Sequence, residues 1–422
     1  MATKALLDHN PNPDDQEIKK ALEHNLCRCT GYLRIIDAVK LAGQFIRGET
    51  TPDAVRPDPN GPKIGVSHPR PSSMLKACGL AEFSADIKLQ NALEVAVHRS
   101  TEHHAMITSI DTSVAEKMPG VVGVMTARDI KGTNRIKIVY GDQPILAEDK
   151  VYCLGDSVAI VVANTREQAL AAAAAVKVAY EPLPVLKTPE QAMSPDAIQL
   201  HSERPNLCFR QPQIRGDAEK ALAESAAVVE GHFSTQCNHQ APLEPEATIA
   251  YIEGDGEDAQ LVVVGRSINI HLHMSNLQEA LGYENIRYEE AFSGGNFGQK
   301  LAMTSEAVSG AAALHFRRPV RYIPSLAESM LMSSKRHPFN MKVKLGASAD
   351  GKLTAFDIDF IVDNGAYQIN GMVIVKRALW MLSGSYYIPN INALARLVYT
   401  NNPAGGVKST QPRTLNPIKV EH

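Results

Sequence analysis

Residues 157–180 constrain the fold more than any other stretch of the chain. SVAIVVA is an apolar run of strand length, and Thr165 and Gln168 then stand in capping-box spacing. The alanine-rich stretch to Ala175 has high helix propensity, and residues 176–180 return to strand-like composition. Strand, capped helix and strand in that order predict a β-α-β unit, and with it a mixed α/β fold. Around it the pattern predicts a strand over 93–98, a helix opened by Ser113 with Glu116 three residues on, and strands over 260–264, 341–345 and 353–362.

The first fifty residues read differently. A short helix is expected over 12–26, capped by Asn12, with Ile18, Ala21, Leu22 and Leu26 on one face. A second is expected over 32–47, with Ile35, Val39, Ala42 and Ile46 on one stripe and Gly48 as its stop. Residues 49–67 contain four prolines and no periodicity, the composition of an extended linker.

Size allows about three domains in 422 residues. The net charge of -3 gives no footprint for nucleic acid or an anionic membrane surface. No apolar run approaches the roughly 20 residues of a bilayer span, and MATKALLDHN lacks a secretory pattern, so the cytoplasm is the expected location.

Cys27 and Cys29 are spaced so that both thiolates can reach one soft metal ion, or they are an unliganded pair in a helix-helix turn. SGGNFGQK, residues 293–300, follows a strand pattern and precedes a helix pattern. It is either a tight turn or a place where backbone meets an anion or polar cofactor. Cys237, His239, His271 and His273 offer a third possibility, zinc, with both later histidines on one face if 267–273 is a strand. Glu244 and Glu246, in PLEPE, read as exposed carboxylates on a rigid loop and receive no catalytic role. Cys78, Cys153 and Cys208 are scattered and read as small buried or surface residues.

LCRCTGYLRIIDAVKLAG resembles the last part of the iron-sulfur domain in molybdenum hydroxylases of the xanthine dehydrogenase and aldehyde oxidoreductase family. That resemblance makes Cys27 and Cys29 half the ligands of a [2Fe-2S] cluster, the other half coming from an upstream Cys-Gly-x-Cys stretch. GGNFGQK resembles the family's Gly-Gly-x-Phe-Gly loop, which makes Gly294, Gly295, Phe297 and Gly298 cofactor-facing and puts Asn296 at the variable place. Stretches such as YCLGDSVAIVVA and YEPLP resemble the hammerhead domain, and HQAPLEPEATIAY, SSKRHPF, DNGAY and YTNNP resemble the molybdopterin-binding domain behind it. The histidines at 271 and 273 then become a wall of the substrate pocket.

The implied fold is α/β (α+β). It comprises a small helical [2Fe-2S]-domain remnant over 1–48, a linker over 49–67, an α/β hammerhead domain over 68–185 and the first half of the molybdopterin-binding α/β domain over 186–405, followed by a non-family tail over 406–422. About twenty residues separate the iron-sulfur end from the hammerhead, too few for a FAD domain, so the layout resembles the flavin-free aldehyde oxidoreductases. The family continues past Pro403 into an arginine-bearing loop and a second half with a base glutamate, and AGGVKSTQPRTLNPIKVEH has no counterpart to either. An interrupted reading frame is therefore expected, with residues 407–422 lacking regular structure.

The implied function is hydroxylation of an aldehyde or aromatic N-heterocycle with oxygen from water, electrons leaving through molybdenum to [2Fe-2S] centres. The implied cofactors are a molybdopterin, as the cytosine dinucleotide or a similar form, and the iron-sulfur cluster. The implied partners are the small-molecule substrate, a redox partner or complementary molybdopterin half, and a homo-oligomer. A non-catalytic half of a split molybdopterin subunit is the alternative, with a zinc enzyme behind it.

Overall fold

Asp14, not Asn12, starts the helix after the first loop. Its carboxylate accepts from Gln16 N and Glu17 N at 2.8 Å each, while Glu17 reaches back to Asp14 N at 2.9 Å, completing a capping box for Asp15–Leu22. Asn12 donates its own N–H to the Asn10 side chain instead. The computed structural model describes residues 1–406 and 419–421, in two units, Met1–Ala81 and Glu82–His422.

In the first unit a helix unforeseen in the sequence, Ala2–His9, joins Asp15–Leu22 and Leu33–Ile46 around Leu7, Ile18, Leu22, Ile36 and Val39. Leu26 falls beyond the helix end and is exposed, and Ile46 is also exposed, so the two predicted stripes are shorter than the sequence suggests. Residues 49–67 hold one short turn of 3-10 helix, Asp53–Val55, and the break between the two units comes later, after Ala81.

The second unit is built on two large sheets. The seven-stranded one runs, in spatial order, Ile286–Glu290, Gln260–Gly265, Thr248–Glu253, Val320–Tyr322, Leu93–Arg99, Ser157–Ala163 and Val121–Thr126. Helix Thr304–Phe316 packs against it with every residue from Ser305 to Ala313 buried, which its small side chains permit. At Gly310 even a Cβ would stand 2.9 Å from Leu281 Cδ1.

The six-stranded sheet runs Lys419–Glu421, Ala227–Ser234, Phe339–Ala347, Leu353–Gly365, Asn390–Tyr399 and Leu207–Arg215. Its parallel pair, Leu353–Gly365 and Asn390–Tyr399, is joined across helix Gly371–Trp380, which buries Val375 and Leu379 on Phe360, Ile391 and Leu397. The predicted absence of structure in the tail falls outside the described residues at 407–418 and 422. At 419–421 the backbone pairs with Ala227–Ser234.

The predicted β-α-β unit is only partly realised. Ser157–Ala163, the Thr165–Gln168 box and helix Arg166–Ala175 form where expected. The following strand, Lys177–Pro182, joins a separate small sheet, antiparallel to Ala105–Asp111. The reason is that Ser157–Ala163 already has a neighbour on each side and offers no edge.

Candidate functional site

Two strands deliver the glycine loop. Ile286–Glu290 runs parallel to Gln260–Gly265, and Ala291 N still donates to Gly265 O at 3.1 Å before the chain leaves the sheet. Residues 293–298 then turn back toward helix Thr304–Phe316 through a short 3-10 turn, Gln299–Leu301. Gly295 and Gly298 have φ of 128° and 95°, which glycine adopts without cost. Phe297 has φ of 50°, a conformation that costs a non-glycine residue about 1–3 kcal/mol and persists only where the surroundings impose it. Asn296 imposes part of it, since its Oδ1 accepts from Gly298 N at 3.0 Å and Lys300 N at 3.1 Å.

Carboxylates from a distant loop supply the rest. Glu244 Oε2 accepts from Gly294 N at 2.7 Å and from Lys300 Nζ at 2.7 Å, with Lys300 2% and Glu244 12% exposed. Glu246, also buried, accepts from Gln299 Nε2 at 2.6 Å and from Ser329 Oγ at 2.6 Å. The sequence reading of these two glutamates as exposed is therefore overturned. The signal available was the facing pair Gln299-Lys300, but nothing in a sequence shows that residues fifty apart meet.

Behind Ser329 stands His239. Ala241 N donates to its Nδ1 at 3.0 Å, so Nε2 carries the proton, and Nε2 lies 3.4 Å from Ser329 Oγ. Beneath the loop, burial raises Glu306 to about 7, against hydrogen bonds from Tyr288 and Ser305 at 3.1 Å each. Burial lowers His273 to about 4, and its Nε2 donates to Leu301 O at 2.9 Å. His273 Nδ1 and Glu306 Oε1 lie 3.9 Å apart, but both shifts favour the neutral forms, so this contact is not an ion pair.

The four residues predicted to face a cofactor thus lie on one loop, but not equivalently. The N–H groups of Gly294 and Gly298 are spent on Glu244 and Asn296, leaving the loop to meet a ligand through its carbonyls, its Cα atoms and the groups between. Asn296 Nδ2, Gln299 Oε1 and Arg266 Nε are buried with no hydrogen-bond partner. Each such atom costs about 1–3 kcal/mol if left so, a deficit that fits a polar, oxygen- and nitrogen-rich group at this place.

The zinc alternative does not assemble. Residues 270–281 are helical, capped by Asn269, so Ile270–Leu281 puts His271 on its exposed side and His273 in the core, not on one strand face. Among the described residues no group of three or more His, Cys, Asp or Glu is placed to hold a metal. Cys153 is buried with its thiol on Asp156 Oδ1 at 3.2 Å, Cys208 donates to Leu397 O at 3.3 Å, and Cys78 is exposed.

Cys27 and Cys29 sit in the turn between Asp15–Leu22 and Leu33–Ile46. Tyr32, itself at φ 69°, pins that turn by accepting Cys27 N at 2.8 Å and donating to Asn25 O at 3.1 Å. The Thr30 hydroxyl, 3.2 Å from Cys27 Sγ, is the largest influence holding that thiol below its usual range, with backbone N–H groups of Cys29 and Thr30 adding to it. A thiol held below its usual range beside an exposed second thiol fits a pair of iron ligands.

The chain matches three families in order: the [2Fe-2S] binding domain over residues 1–40, the aldehyde oxidase and xanthine dehydrogenase a/b hammerhead domain over 78–184, and the molybdopterin cofactor-binding domain over 200–408. It is 36% identical over 425 residues to the aldehyde oxidoreductase of Megalodesulfovibrio gigas, covering 96% of this chain and 46% of that protein. It is 34% identical over 345 residues to the nicotinate dehydrogenase large molybdopterin subunit of Eubacterium barkeri, covering 81% of this chain and 80% of that protein. The solved aldehyde oxidoreductase from Desulfovibrio gigas superposes with a TM-score of 0.88 at 34% identity, over 96% of this chain and 46% of that one. The chain spans about half the length of these aldehyde oxidoreductases. No helix among the described residues is long and apolar enough to cross a membrane.

Proposed function

Because the chain belongs to the molybdenum hydroxylase family of aldehyde oxidoreductases and xanthine dehydrogenases, we propose that it forms part of an enzyme hydroxylating an aldehyde or aromatic N-heterocycle with oxygen from water. It would contribute the end of an iron-sulfur domain, the hammerhead and the first part of the molybdopterin-binding body. The observation that carries this reading is the glycine loop locked from behind by Glu244 and Glu246, with unpartnered buried polar atoms beside it.

In this reading residues 294–298 hold the molybdopterin, as the cytosine dinucleotide or a similar form, and Cys27 and Cys29 hold one iron of a [2Fe-2S] cluster. The bound molybdopterin supplies the two-electron oxidation. The chain's own residues position and insulate. Glu244 fixes the start of the loop through Gly294 N and its end through Lys300, and Glu246 fixes Gln299. These buried bonds hold the loop in place ahead of a ligand. The lack of a FAD domain, electron transfer to a redox partner, homo-oligomer formation and the cytoplasmic location belong to the same proposal.

A second reading, that the chain is one of two molybdopterin subunits and needs a complementary chain, is favoured by the Eubacterium barkeri relative. That protein is named a subunit, and this chain covers 80% of it.

Coexpression with a complementary molybdopterin half, in cells that make the cofactor, tests both. Retained molybdenum and aldehyde- or heterocycle-dependent dye reduction are expected, with molybdenum lost in Gly294→Val. No molybdenum in the reconstituted protein, or unchanged turnover in Gly294→Val, overturns the site assignment.

A further inference from the structure

A cavity in the second unit shares no residue with the glycine loop or its anchors. It offers about 250 Å3 between residues 135–152 and the turn at 201–204. Most charges on its walls are already satisfied. Arg135 donates to both oxygens of Glu148, at 3.1 and 2.7 Å. Asp149 and Glu203 are exposed at the rim, where water and salt screen them. Asp142, almost wholly buried, accepts from Gln368 N at 3.0 Å and from the Tyr399 hydroxyl at 2.7 Å.

Two cations remain. Lys150 makes no ion pair among the described residues; its Nζ donates to Leu200 O at 3.0 Å and lies 4.7 Å from the centre of the Tyr152 ring. Arg204 lies over Tyr140 at 4.0 Å, and its Nη1 stands 4.0 Å from Asp142 Oδ2, beyond hydrogen-bonding range, buried with no hydrogen-bond partner. Burial also holds the Asp142 carboxyl above its usual range, against the opposing pull of Tyr399, His201 and Arg204, and holds Lys150 below its own. His201 stacks on Tyr152 with centroids 4.7 Å apart and 8° between planes, its Nε2 donating to Ala366 O at 2.7 Å. Two aromatic residues, Tyr152 and His201, therefore line the cavity beside the cations.

We propose that this cavity binds a small organic carboxylate, with the Arg204 guanidinium as its main contact and Lys150 as the second cation, beside Tyr152 and His201. Arginine suits a carboxylate because its planar fork matches the two oxygens. The volume lies below the roughly 300–1,000 Å3 of sites for drug-sized ligands, which restricts the occupant to an acid with a single ring or less. The proposal is independent of the molybdopterin reading and fails or stands without it.

Titrating the 422-residue chain with benzoate and with neutral benzamide, by calorimetry, tests it. Benzoate is expected to saturate one site, benzamide to bind at least about tenfold more weakly, and Arg204→Gln and Lys150→Met each to weaken benzoate by about tenfold, with Arg204→Lys retaining part of the affinity. Equal binding of the two probes, no saturable benzoate binding, or benzoate affinity unchanged in both variants overturns it. Should a variant fail to fold, the benzoate-to-benzamide comparison on the unaltered chain still decides.

Discussion

Glu244 and Lys300 form a buried ion pair at 2.7 Å, and the carboxylate oxygen that takes the ammonium also takes the N–H of Gly294. One atom thus ties both ends of the glycine loop. Removing one partner of a buried pair leaves an uncompensated charge, which costs about 3–5 kcal/mol, whereas removing both costs much less. Lys300→Met is therefore expected to destabilise by about 3 kcal/mol in urea unfolding, and Glu244→Gln with Lys300→Met to recover a large part of that loss. Strict additivity of the two single changes would show that the pair is not coupled.

Gly294 and Gly48 differ in what a methyl group would meet. At Gly294 a Cβ would stand 2.6 Å from Glu244 Cβ, an atom next to the backbone that has little freedom to move. At Gly48, φ 72°, a Cβ meets nothing within 4 Å. Gly294→Ala should cost about 2–3 kcal/mol by overpacking, and Gly48→Ala about 1 kcal/mol from backbone strain alone. Thermal unfolding of the two variants separates the cases, and a cost at Gly294 no larger than at Gly48 would mean the loop yields.

Sequence reasoning reached this loop because its signals are local: a strand pattern, glycines and a helix pattern follow one another within thirty residues. The Thr165–Gln168 cap and strand Ser157–Ala163 were legible for the same reason. It missed Glu244 and Glu246 because their partners lie over fifty residues away. It misread 267–273 because polar and apolar residues alternate there. The true period lies just beyond, in buried His273, Asn276, Leu277, Ala280 and Leu281, the i, i+3, i+4, i+7, i+8 stripe of a helix. The β-α-β expectation failed at sheet membership, which depends on which edges remain free and not on local pattern.

Glu306 and His273 give opposite pH dependences. The Glu306 carboxyl, raised to about 7, binds its proton more tightly when folded, so its contribution to stability is full below its unfolded value and is lost as pH rises toward 7. His273, lowered to about 4, resists protonation when folded and destabilises as pH falls below its unfolded value. Glu306→Gln removes the first effect only. The stability gap between the unaltered chain and this variant should shrink by on the order of 3 kcal/mol between pH 4.5 and 7.5. A gap constant across that range in urea titrations would show that folding does not raise the Glu306 carboxyl.

The iron-sulfur pair yields the last expectation. A [2Fe-2S] cluster takes four protein ligands, two per iron. On the proposed assignment Cys27 and Cys29 supply two, and among the described residues no third His, Cys, Asp or Glu joins them in a metal-binding group. The lowered Cys27 thiol and its exposed neighbour can capture iron, but two thiolates leave the second iron open to water and to loss. This chain by itself, reconstituted anaerobically with iron and sulfide and then desalted, should therefore be nearly colourless, with iron far below two per chain. Supplying the Cys-Gly-x-Cys stretch of a relative ahead of residue 1 should restore a charge-transfer spectrum, and Cys29→Ser should abolish it again. Two irons and two sulfides per chain without that addition, lost on Cys29→Ser, would mean that the chain recruits further ligands, and a second copy docking through this turn would then be the source to examine by sedimentation.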